Sequence, residues 1–273
     1  MKRQNVMILV FQILLLTLTQ IASAETIEPQ LDLTGGQCRE SEIINTTSTY
    51  YTNILTVLSN LRSSSSAEHF LNTSVGLGSN RVNGYYVCRP DVSLDTCEAC
   101  VNATITTIDE FCFDRKEATI WYDECMIRYT NNSVSATEGN GTDPWHFNYS
   151  TFNVSATDGF PALVNTTMRG LISEAVSPDN VHKFFAHGKE NFTSFEGFFG
   201  MVLCRPDMTV EACESCLLTA LGRIPSCCVD SLSTWTTIML PNCQLRYDTA
   251  QFIFDDLPLL SPSSTLPTPA PSP

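Results

Sequence analysis

The sequence is poor in positive charge and in the groups from which most catalytic sites are built. Its 273 residues include 15 Lys and Arg against 29 Asp and Glu, a formal net charge of −14 at pH 7. Without a basic stripe to displace counterions, such a chain is a poor partner for nucleic acid or acidic membranes. It has four histidines and no G-x-S-x-G elbow or phosphate-binding glycine loop. We therefore expect no enzymatic activity, no cofactor and no metal.

Cysteine, by contrast, is abundant and patterned. The spacing C-x8-C-x2-C covers residues 88–100 and recurs at residues 204–216, and Cys-Arg-Pro-Asp opens both copies. Farther along, Cys112 corresponds to Cys228 in the same register. Cysteines seldom repeat in one register by chance, so the pattern indicates two copies of one module. A zinc site at the C-x2-C pairs is disfavoured, because neither a second pair nor histidines lie at ligand spacing.

The N-terminus has the parts of a secretory signal peptide. Two basic residues precede an apolar run over residues 6–18, and Ala-Ser-Ala at residues 22–24 suits cleavage. A membrane anchor would need a longer apolar run, and Gln12 interrupts this one. We therefore predict a signal peptide at residues 1–24, export, and no membrane insertion after cleavage.

Export also predicts the state of the cysteines and of several asparagines. All twelve cysteines lie beyond residue 24 and their number is even, which favours disulfides because secreted chains fold in an oxidising compartment. Nine N-x-S/T sequons agree with the same route, and we expect many to be glycosylated. They begin at Asn45, Asn72, Asn102, Asn131, Asn140, Asn148, Asn153, Asn165 and Asn191.

Local patterns predict two helices and several strands in each module. In the first we expect a helix within residues 39–65, a turn at Asn83-Gly84 leading into a strand, a helix capped by Ser93 and closing strands over residues 118–129. In the second we expect a helix marked by Leu163, Met168 and Leu171, followed by strands over residues 182–185 and 198–204. A helix capped by Thr209 should then stop before Pro225, and closing strands should cover residues 234–247.

The repeat and the composition around it set the domain boundaries. We place the two domains at residues 25–135 and 148–252. Residues 136–147 form a turn-rich linker between them. Residues 253–273 are rich in proline, which predicts an extended, disordered tail without a packed core.

Paired C-x8-C-x2-C modules behind a signal peptide resemble the ginkbilobin-type, stress-antifungal cysteine-rich domain of land plants. Tandem copies occur in cysteine-rich repeat secretory proteins and in the ectodomains of cysteine-rich receptor-like kinases. The resemblance covers residues 30–252. It implies an α+β fold of two tandem disulfide-stapled modules, each with two helices packed on a five-stranded antiparallel sheet.

The resemblance also implies a disulfide pattern, which sequence alone could not choose from fifteen connectivities. The implied pairs are Cys38 with Cys112, Cys88 with Cys97, Cys100 with Cys125, Cys204 with Cys213 and Cys216 with Cys243. Cys228 has no counterpart of Cys38 to bond, and Cys227 lies beside it. We favour a vicinal Cys227–Cys228 bond, with intermolecular pairing and free thiols as the alternatives.

Some single-module members that this domain resembles bind mannose through an asparagine, an arginine and a glutamate. The matching places hold Arg39, Thr119 and Thr130 in the first module and, for the last two, Thr237 and Asp248 in the second. Losing the arginine donor removes the geometry on which recognition of hydroxyl groups depends. We therefore do not carry the mannose site over.

Several repeated or aromatic residues are further candidates for a binding site. For the pairs Asp91/Asp207 and Glu98/Glu214 we favour turn and helix-start electrostatics. Arg128 and Arg246 could present a binding donor, but we favour surface strand residues paired with a carboxylate. Aromatic candidates, for which core packing is favoured, are Trp121, Tyr122, Trp235, Phe198 and Phe199.

Together these features predict a secreted, glycosylated, non-enzymatic protein of the plant apoplast. We expect it to recognise an extracellular protein partner in stress or defence signalling. One alternative is a lectin-like protein that binds a cell-wall or mannose-type glycan, and another is a truncated ectodomain of a cysteine-rich receptor-like kinase. Homo- and heterodimers are both compatible with the sequence.

Overall fold

The computed structural model describes residues 29–39, 43–134, 145–155, 158–193, 197–228 and 232–253. Leu31–Pro273 form one compact unit, to which both cysteine-rich modules belong. The predicted signal peptide, residues 136–144 of the predicted linker and residues 254–273 of the predicted tail lie outside the described residues. Over the part that is described, no helix is long and apolar enough to cross a membrane.

The first module is a five-stranded antiparallel sheet with two helices. In chain order its elements are β1 (Leu33–Cys38), α1 (Thr49–Ser64), β2 (Phe70–Val75), β3 (Val82–Cys88), α2 (Leu94–Phe111), β4 (Ala118–Tyr122) and β5 (Cys125–Thr130). The strands lie in the order β1-β4-β5-β3-β2.

The second module repeats this architecture. Its elements are β6 (His146–Tyr149), α3 (Phe160–Ala175), β7 (Phe185–Asn191), β8 (Gly197–Cys204), α4 (Val210–Cys227), β9 (Trp235–Met239) and β10 (Cys243–Asp248). The strand order β6-β9-β10-β8-β7 is equivalent, strand for strand, to that of the first sheet. The predicted α+β class, with two helices and five antiparallel strands in each module, is confirmed.

The predicted caps fix the starts of the two cysteine-bearing helices. The Ser93 hydroxyl accepts a hydrogen bond from the Thr96 amide at 3.1 Å, and Thr209 does the same for the Ala212 amide at 3.2 Å. Each cap satisfies one of the amides that a first helical turn leaves without a partner. An acidic residue in each first turn adds a favourable interaction with the helix dipole.

Three local predictions are wrong for identifiable reasons. Asn83-Gly84 is part of β3, not a turn; a Cβ on Gly84 would lie 2.3 Å from Val57 Cγ1, so the glycine permits close packing of α1. Residues 182–184 are not a strand, because Lys183 and Phe184 adopt positive φ angles of 22° and 66° and the strand begins only at Phe185.

The third concerns the end of α4. Pro225 lies inside the helix, which continues to Cys227 instead of stopping before the proline. Proline removes one backbone donor but does not end the helix here, since the Cys228 amide still donates to Ile224 O at 3.1 Å. The prediction of a helix within residues 39–65 is confirmed, and α1 begins at Thr49 after the cap Ser48.

Each sheet has two buried faces. Along β3, Val82, Tyr86 and Cys88 belong to the core between the first sheet and its helices, whereas Tyr85 and Val87 belong to a different cluster. That second cluster also contains residues from three strands of the other module. They are Phe185 on β7, Met201 and Leu203 on β8, and Met239 on β9. The two sheets therefore pack back to back, with helices on both outer sides. We call the contact between the sheets the junction.

Candidate functional site

The repeated Cys-Arg-Pro-Asp sequence forms a buried arginine–aspartate pair in each module. Arg89 Nε donates to Asp91 Oδ1 at 2.9 Å, and a second nitrogen of Arg89 reaches the other carboxylate oxygen. Arg205 Nε and Nη2 reach the two oxygens of Asp207 at 2.9 and 2.8 Å. The arginines are 2% and 1% exposed. The favoured turn role of Asp91 and Asp207 therefore extends to holding a buried charge.

The second of these arginines reaches across the junction. Its guanidinium lies 4.3 Å from the centre of the Tyr85 ring of the first module. The Tyr85 hydroxyl donates to Pro241 O of the second module at 2.6 Å. Burial raises the pKa of Tyr85, while the positive charges of Arg128 and Arg205 act in the opposite direction. The phenol thus serves the junction as a neutral hydrogen-bond donor.

A second group of charges, centred on Asp123, also joins the two modules. Asp123 Oδ2, which follows β4 in the first module, accepts from Arg246 Nη1 of the second module at 2.6 Å and from Arg89 Nη1 at 3.3 Å. The Phe252 ring lies 4.1 Å from the Arg246 guanidinium, and Phe252 O accepts from Arg89 Nη2 at 3.1 Å. The segment after β10 therefore binds both modules.

Glu124 lies next to this charge group and is only partly buried. Burial raises the pKa of its carboxyl to about 7, and the negative charge of Asp123 adds to the rise. Among the described residues none makes a hydrogen bond to its buried Oε2 atom. The first module thus contains, next to Asp123, a carboxyl group whose pKa is raised toward neutrality.

The expectation of a surface strand residue is wrong for Arg128 and holds only in part for the half-buried Arg246, although both pair with carboxylates as favoured. Arg128 is 6% exposed and its Nη2 donates to Glu117 Oε1. Arg246 binds Asp248 at 2.9 Å in addition to Asp123. Both strands show the alternation of a half-solvated sheet, but the other module covers the polar face. Arg128 is thus closed to a ligand, whereas Arg246 is half-buried and paired with two carboxylates.

Four of the five places that correspond to the mannose site lie on the same covered face, whereas the fifth, Arg39, is exposed. Thr119, Thr130, Thr237 and Asp248 are buried, and the Asp248 carboxylate accepts from Arg246 Nη2 and from the Ala250 amide, both at 2.9 Å. A sugar could reach these four residues only if the modules separated. The burial adds a steric reason to the chemical one for not carrying that site over.

The aromatic candidates divide between core and surface. Trp121 is fully buried at the junction, and Phe198 packs 5.6 Å from the Tyr247 ring in the second core. Tyr122, Trp235 and Phe199 are half-buried. Core packing is therefore the role of the first two, as favoured.

The histidines are not arranged as a catalytic group. His69 Nε2 lies 2.8 Å from Val92 O. His182 and His187 flank the Phe185 ring, at centroid distances of 6.4 and 5.6 Å, beside an open cavity of about 280 Å³. No set of three His, Cys, Asp or Glu residues in the described ranges is placed to hold a metal ion.

Six disulfides staple the two modules. The bonded pairs are Cys38–Cys112, Cys88–Cys97, Cys100–Cys125, Cys204–Cys213, Cys216–Cys243 and Cys227–Cys228. The first ties β1 to the end of α2, whereas the vicinal pair ties nothing to the end of α4. The two ends therefore present different surfaces.

At the end of α2 the chain exposes an apolar patch that composition alone did not reveal. Ile43, Phe111 and Phe113 are 68%, 67% and 53% exposed. A backbone bridge joins Ile43 to Arg115, next to the two phenylalanines in sequence. We call these three side chains the Phe111 patch. Exposed apolar clusters of this kind mark contact surfaces more often than exposed single residues do.

The predicted glycosylation sites lie mostly on the surface. Exposed sequon asparagines are Asn45, Asn72, Asn148, Asn153, Asn165 and Asn191, and half-buried ones are Asn102 and Asn131. Asn140 lies outside the described residues. Of the six exposed side chains, Asn72 also donates a hydrogen bond to Asp207 at 2.8 Å.

Comparison with known sequences identifies relatives of both kinds named by the resemblance. The family model described as salt stress response/antifungal matches residues 37–132 and 148–250. Putative cysteine-rich repeat secretory protein 7 of Arabidopsis thaliana is 33% identical over 206 residues, 74% of this chain and 71% of the relative. Cysteine-rich receptor-like protein kinase 25 of the same organism is 34% identical over 249 residues, 86% of this chain and 35% of the kinase. The chain thus spans about a third of the length of that kinase.

A solved structure matches the whole two-module arrangement. The tandem DUF26 ectodomain of the Arabidopsis thaliana cysteine-rich receptor-like protein PDLP8 gives a TM-score of 0.68 at 21% identity, covering 81% of this chain and 99% of that one. A match that covers almost all of a tandem ectodomain supports the paired fold described above.

Proposed function

The chain belongs to the salt stress response/antifungal family, and on that premise we propose that it is a secreted, non-enzymatic protein of the apoplast that binds an extracellular protein in stress or defence signalling. One observation carries the proposal. The junction buries Thr119, Thr130, Thr237 and Asp248, four of the places that correspond to the mannose site, while the Phe111 patch stays exposed. Recognition then uses an outer surface, and its exposed rings suit a protein partner.

Charge around the patch defines the chemistry of that partner. Asp109 and Glu110 precede Phe111 and are exposed, whereas Asp114 pairs with Arg115 at 3.1 Å. An apolar centre flanked by the two exposed carboxylates complements an apolar surface that carries basic groups, because opposite charges favour encounter and like charges are repelled. The net charge of −14 strengthens this preference. We therefore propose a partner with Lys or Arg around an apolar contact surface.

The proposal is tested with a panel of purified extracellular receptor domains and, in parallel, a glycan array. We expect one receptor domain to bind and the double variant Phe111→Ser/Phe113→Ser to weaken that binding at least about tenfold, as loss of central contact residues does. Phe152→Ser is the matched control, because Phe152 is 77% exposed in the second module. Selective binding to one glycan class, unchanged in the double variant, would overturn the choice of a protein partner.

A receptor ectodomain is the second candidate. The 34% identity with a receptor-like kinase over 249 residues favours it. The reading frame downstream of residue 273 decides the matter, since a receptor requires an apolar run of about 20 residues there. A frame that closes without such a run would favour the secretory form.

We further propose that residues 1–24 are removed on export and that the nine sequons are sites of N-linked glycosylation. Relatives named as secretory proteins support export, and the exposure of most sequon asparagines supports their modification. Peptide mapping of protein purified from culture medium would contradict this if the leader were still attached.

A further inference from the structure

A polar groove of about 440 Å³ lies where β2, β3 and the segment after β5 meet in the first module. Its lining carries amide, hydroxyl and guanidinium groups, among them those of Asn72, Ser74, Arg81, Asn83, Asn131 and Ser133. We call it the Asn131 groove. Its volume falls within the roughly 300–1,000 Å³ of sites for small ligands, but its lining is far more polar than is usual for them. Neutral hydrogen-bonding groups with one cation suit a sugar.

Two sequons that are distant in sequence meet at this groove. The sheet register brings them together: Ser74 lies opposite Asn83 on β3, and Asn83 lies opposite Thr130 on β5. The sequons of Asn72 and Asn131 therefore contribute to one surface. The two asparagines to which a glycan could be attached thus belong to the polar lining of the groove itself.

Hydrogen bonds hold the groove in shape. The buried Asn83 donates through Nδ2 to Asn132 O at 2.8 Å, which fixes the chain directly after Asn131. Arg81 Nη2 donates to Ser74 Oγ at 3.2 Å. A guanidinium has five N–H donors, more than this contact uses, so Arg81 can also donate into the groove. The lining is thus arranged before any ligand arrives.

The two asparagines differ in what they already bind. Asn72 Nδ2 donates to Asp207 Oδ2 of the second module at 2.8 Å, on the same carboxylate that pairs with Arg205. Its amide is therefore committed to the contact between the modules. Asn131 is half-buried in the groove itself. This difference favours Asn131 as the carrier of a sugar that fills the groove.

We propose that the Asn131 groove holds the first N-acetylglucosamine residues of an N-linked glycan attached to Asn131. The lining hydroxyls and amides exchange hydrogen bonds with the sugar hydroxyl and acetamido groups, and Arg81 donates to their oxygens. The glycan then covers the polar end of the first sheet.

The attachment is an ordinary amide glycosylation. The Asn131 amide nitrogen bonds to the anomeric carbon of the first sugar, the bond from that carbon to a lipid-linked diphosphate breaks, and the amide proton leaves with the diphosphate product. The lipid-linked oligosaccharide of the export pathway is the donor, so this inference rests on the proposed export.

The test uses the full chain secreted from a host that attaches N-linked glycans. Mass spectrometry measures occupancy at each sequon and the rate at which a peptide-N-glycosidase releases each glycan from native protein. We expect release at Asn131 to be about tenfold slower than at the exposed Asn45, the effect of a few hydrogen bonds. Arg81→Ala should remove most of this difference, and Arg62→Ala, on the exposed side of α1, should leave it unchanged.

The possible outcomes distinguish failure of the groove-bound glycan from failure of the proposed export. Slow release at Asn131 that depends on Arg81 supports the inference. An occupied Asn131 released as fast as Asn45, or an empty Asn131 beside other occupied sequons, overturns it and leaves export standing. A chain with every sequon empty overturns proposed glycosylation as well.

A free glycan as the occupant is tested separately. The Asn131→Gln variant is titrated with soluble diacetylchitobiose, with and without Arg81→Ala. Binding that needs Arg81, together with an empty Asn131 in the wild-type protein, would assign the groove to a free sugar and overturn the attached glycan.

Discussion

Arg205 is almost completely buried, yet each of its guanidinium nitrogens meets an acceptor. Two reach Asp207 and the third donates to Asn242 Oδ1 at 2.8 Å. A buried charge is costly unless it is paired and hydrogen-bonded throughout. At the residue scale, the repeated Cys-Arg-Pro-Asp sequence therefore places one fully partnered cation at the same point of each module.

Removing this cation should be expensive. We expect Arg205→Ala to lower the free energy of unfolding by about 3 kcal/mol, because Asp207 and Asn242 each lose a buried donor and Tyr85 loses its stacked partner. Denaturation in guanidinium chloride measures the change. Arg169→Ala is the control: Arg169 is exposed on α3 and contacts Asn165 at 3.1 Å, so we expect about 0.5 kcal/mol or less. Equal losses in the two variants would contradict the assigned role of Arg205.

At the scale of elements, the central strands are buried on both faces while the helices bury one stripe. All seven residues of β3 are buried, as in strands that lie between two layers. Helix α1 buries Ile54, Val57 and Leu58 against the sheet. The approach of Val57 to the backbone of β3 is possible only because residue 84 has no side chain beyond hydrogen.

Two glycine substitutions should therefore change stability in opposite directions. We expect Gly84→Ala to destabilise the fold by about 1–3 kcal/mol through overpacking, with partial recovery when Val57→Ala is added. Gly222→Ala, in α4 where a Cβ meets open space, should stabilise it by about 0.5–1 kcal/mol. Urea denaturation of the three variants provides the comparison. A shift of the same sign at both glycines would argue against the packing account of Gly84.

At the scale of the whole molecule, the junction makes two modules into one unit. Its apolar centre includes Trp121, Met201 and Leu203, and the Asp123 and Arg205 contacts lie around that centre. The segment after β10 adds Ile253, which is buried, and the Phe252 ring over Arg246. Because related positions of the two sheets face each other, each module supplies the cover that the other lacks.

The stability of the fold should also respond to pH. The folded protein raises the pKa of Glu124 from 4.5 to about 7, so it holds this proton more tightly than the unfolded chain does. The contribution of Glu124 to the free energy of unfolding therefore falls as the pH rises from about 4.5 to about 7. Glu124→Gln carries no charge at any pH and should remove this fall.

Urea denaturation at about pH 5 and at about pH 7.5 provides the measurement. The quantity compared is the free energy of unfolding of Glu124→Gln minus that of the wild-type protein. We expect this difference to be more positive at the higher pH than at the lower pH. Glu214→Gln, on the exposed side of α4, is the matched control. A wild-type-to-variant difference that does not vary with pH would contradict the buried carboxyl described here.

The sequence by itself determined the modules, their repeated order of elements and the caps of α2 and α4. Those features depend on cysteine register, hydrophobic period and side-chain contacts within a few residues, all of which are local in the chain. The same information misplaced the turn at Gly84, because the reason for that glycine is Val57 on another element. Pro225 was likewise misread, because a helix can absorb one missing donor in its last turn.

Only the tertiary structure decided what the polar faces of the two sheets do. Arg128 and Arg246 alternate with apolar neighbours as residues of a solvated face would, and nothing in that pattern distinguishes water from a second module as the cover. Burial between the sheets turns these arginines into structural ion pairs and closes four of the places of the mannose site. The exposure of Phe111 and the meeting of two sequons at one groove also depend on how distant residues are placed in the fold. Such contacts arise only when the chain is folded.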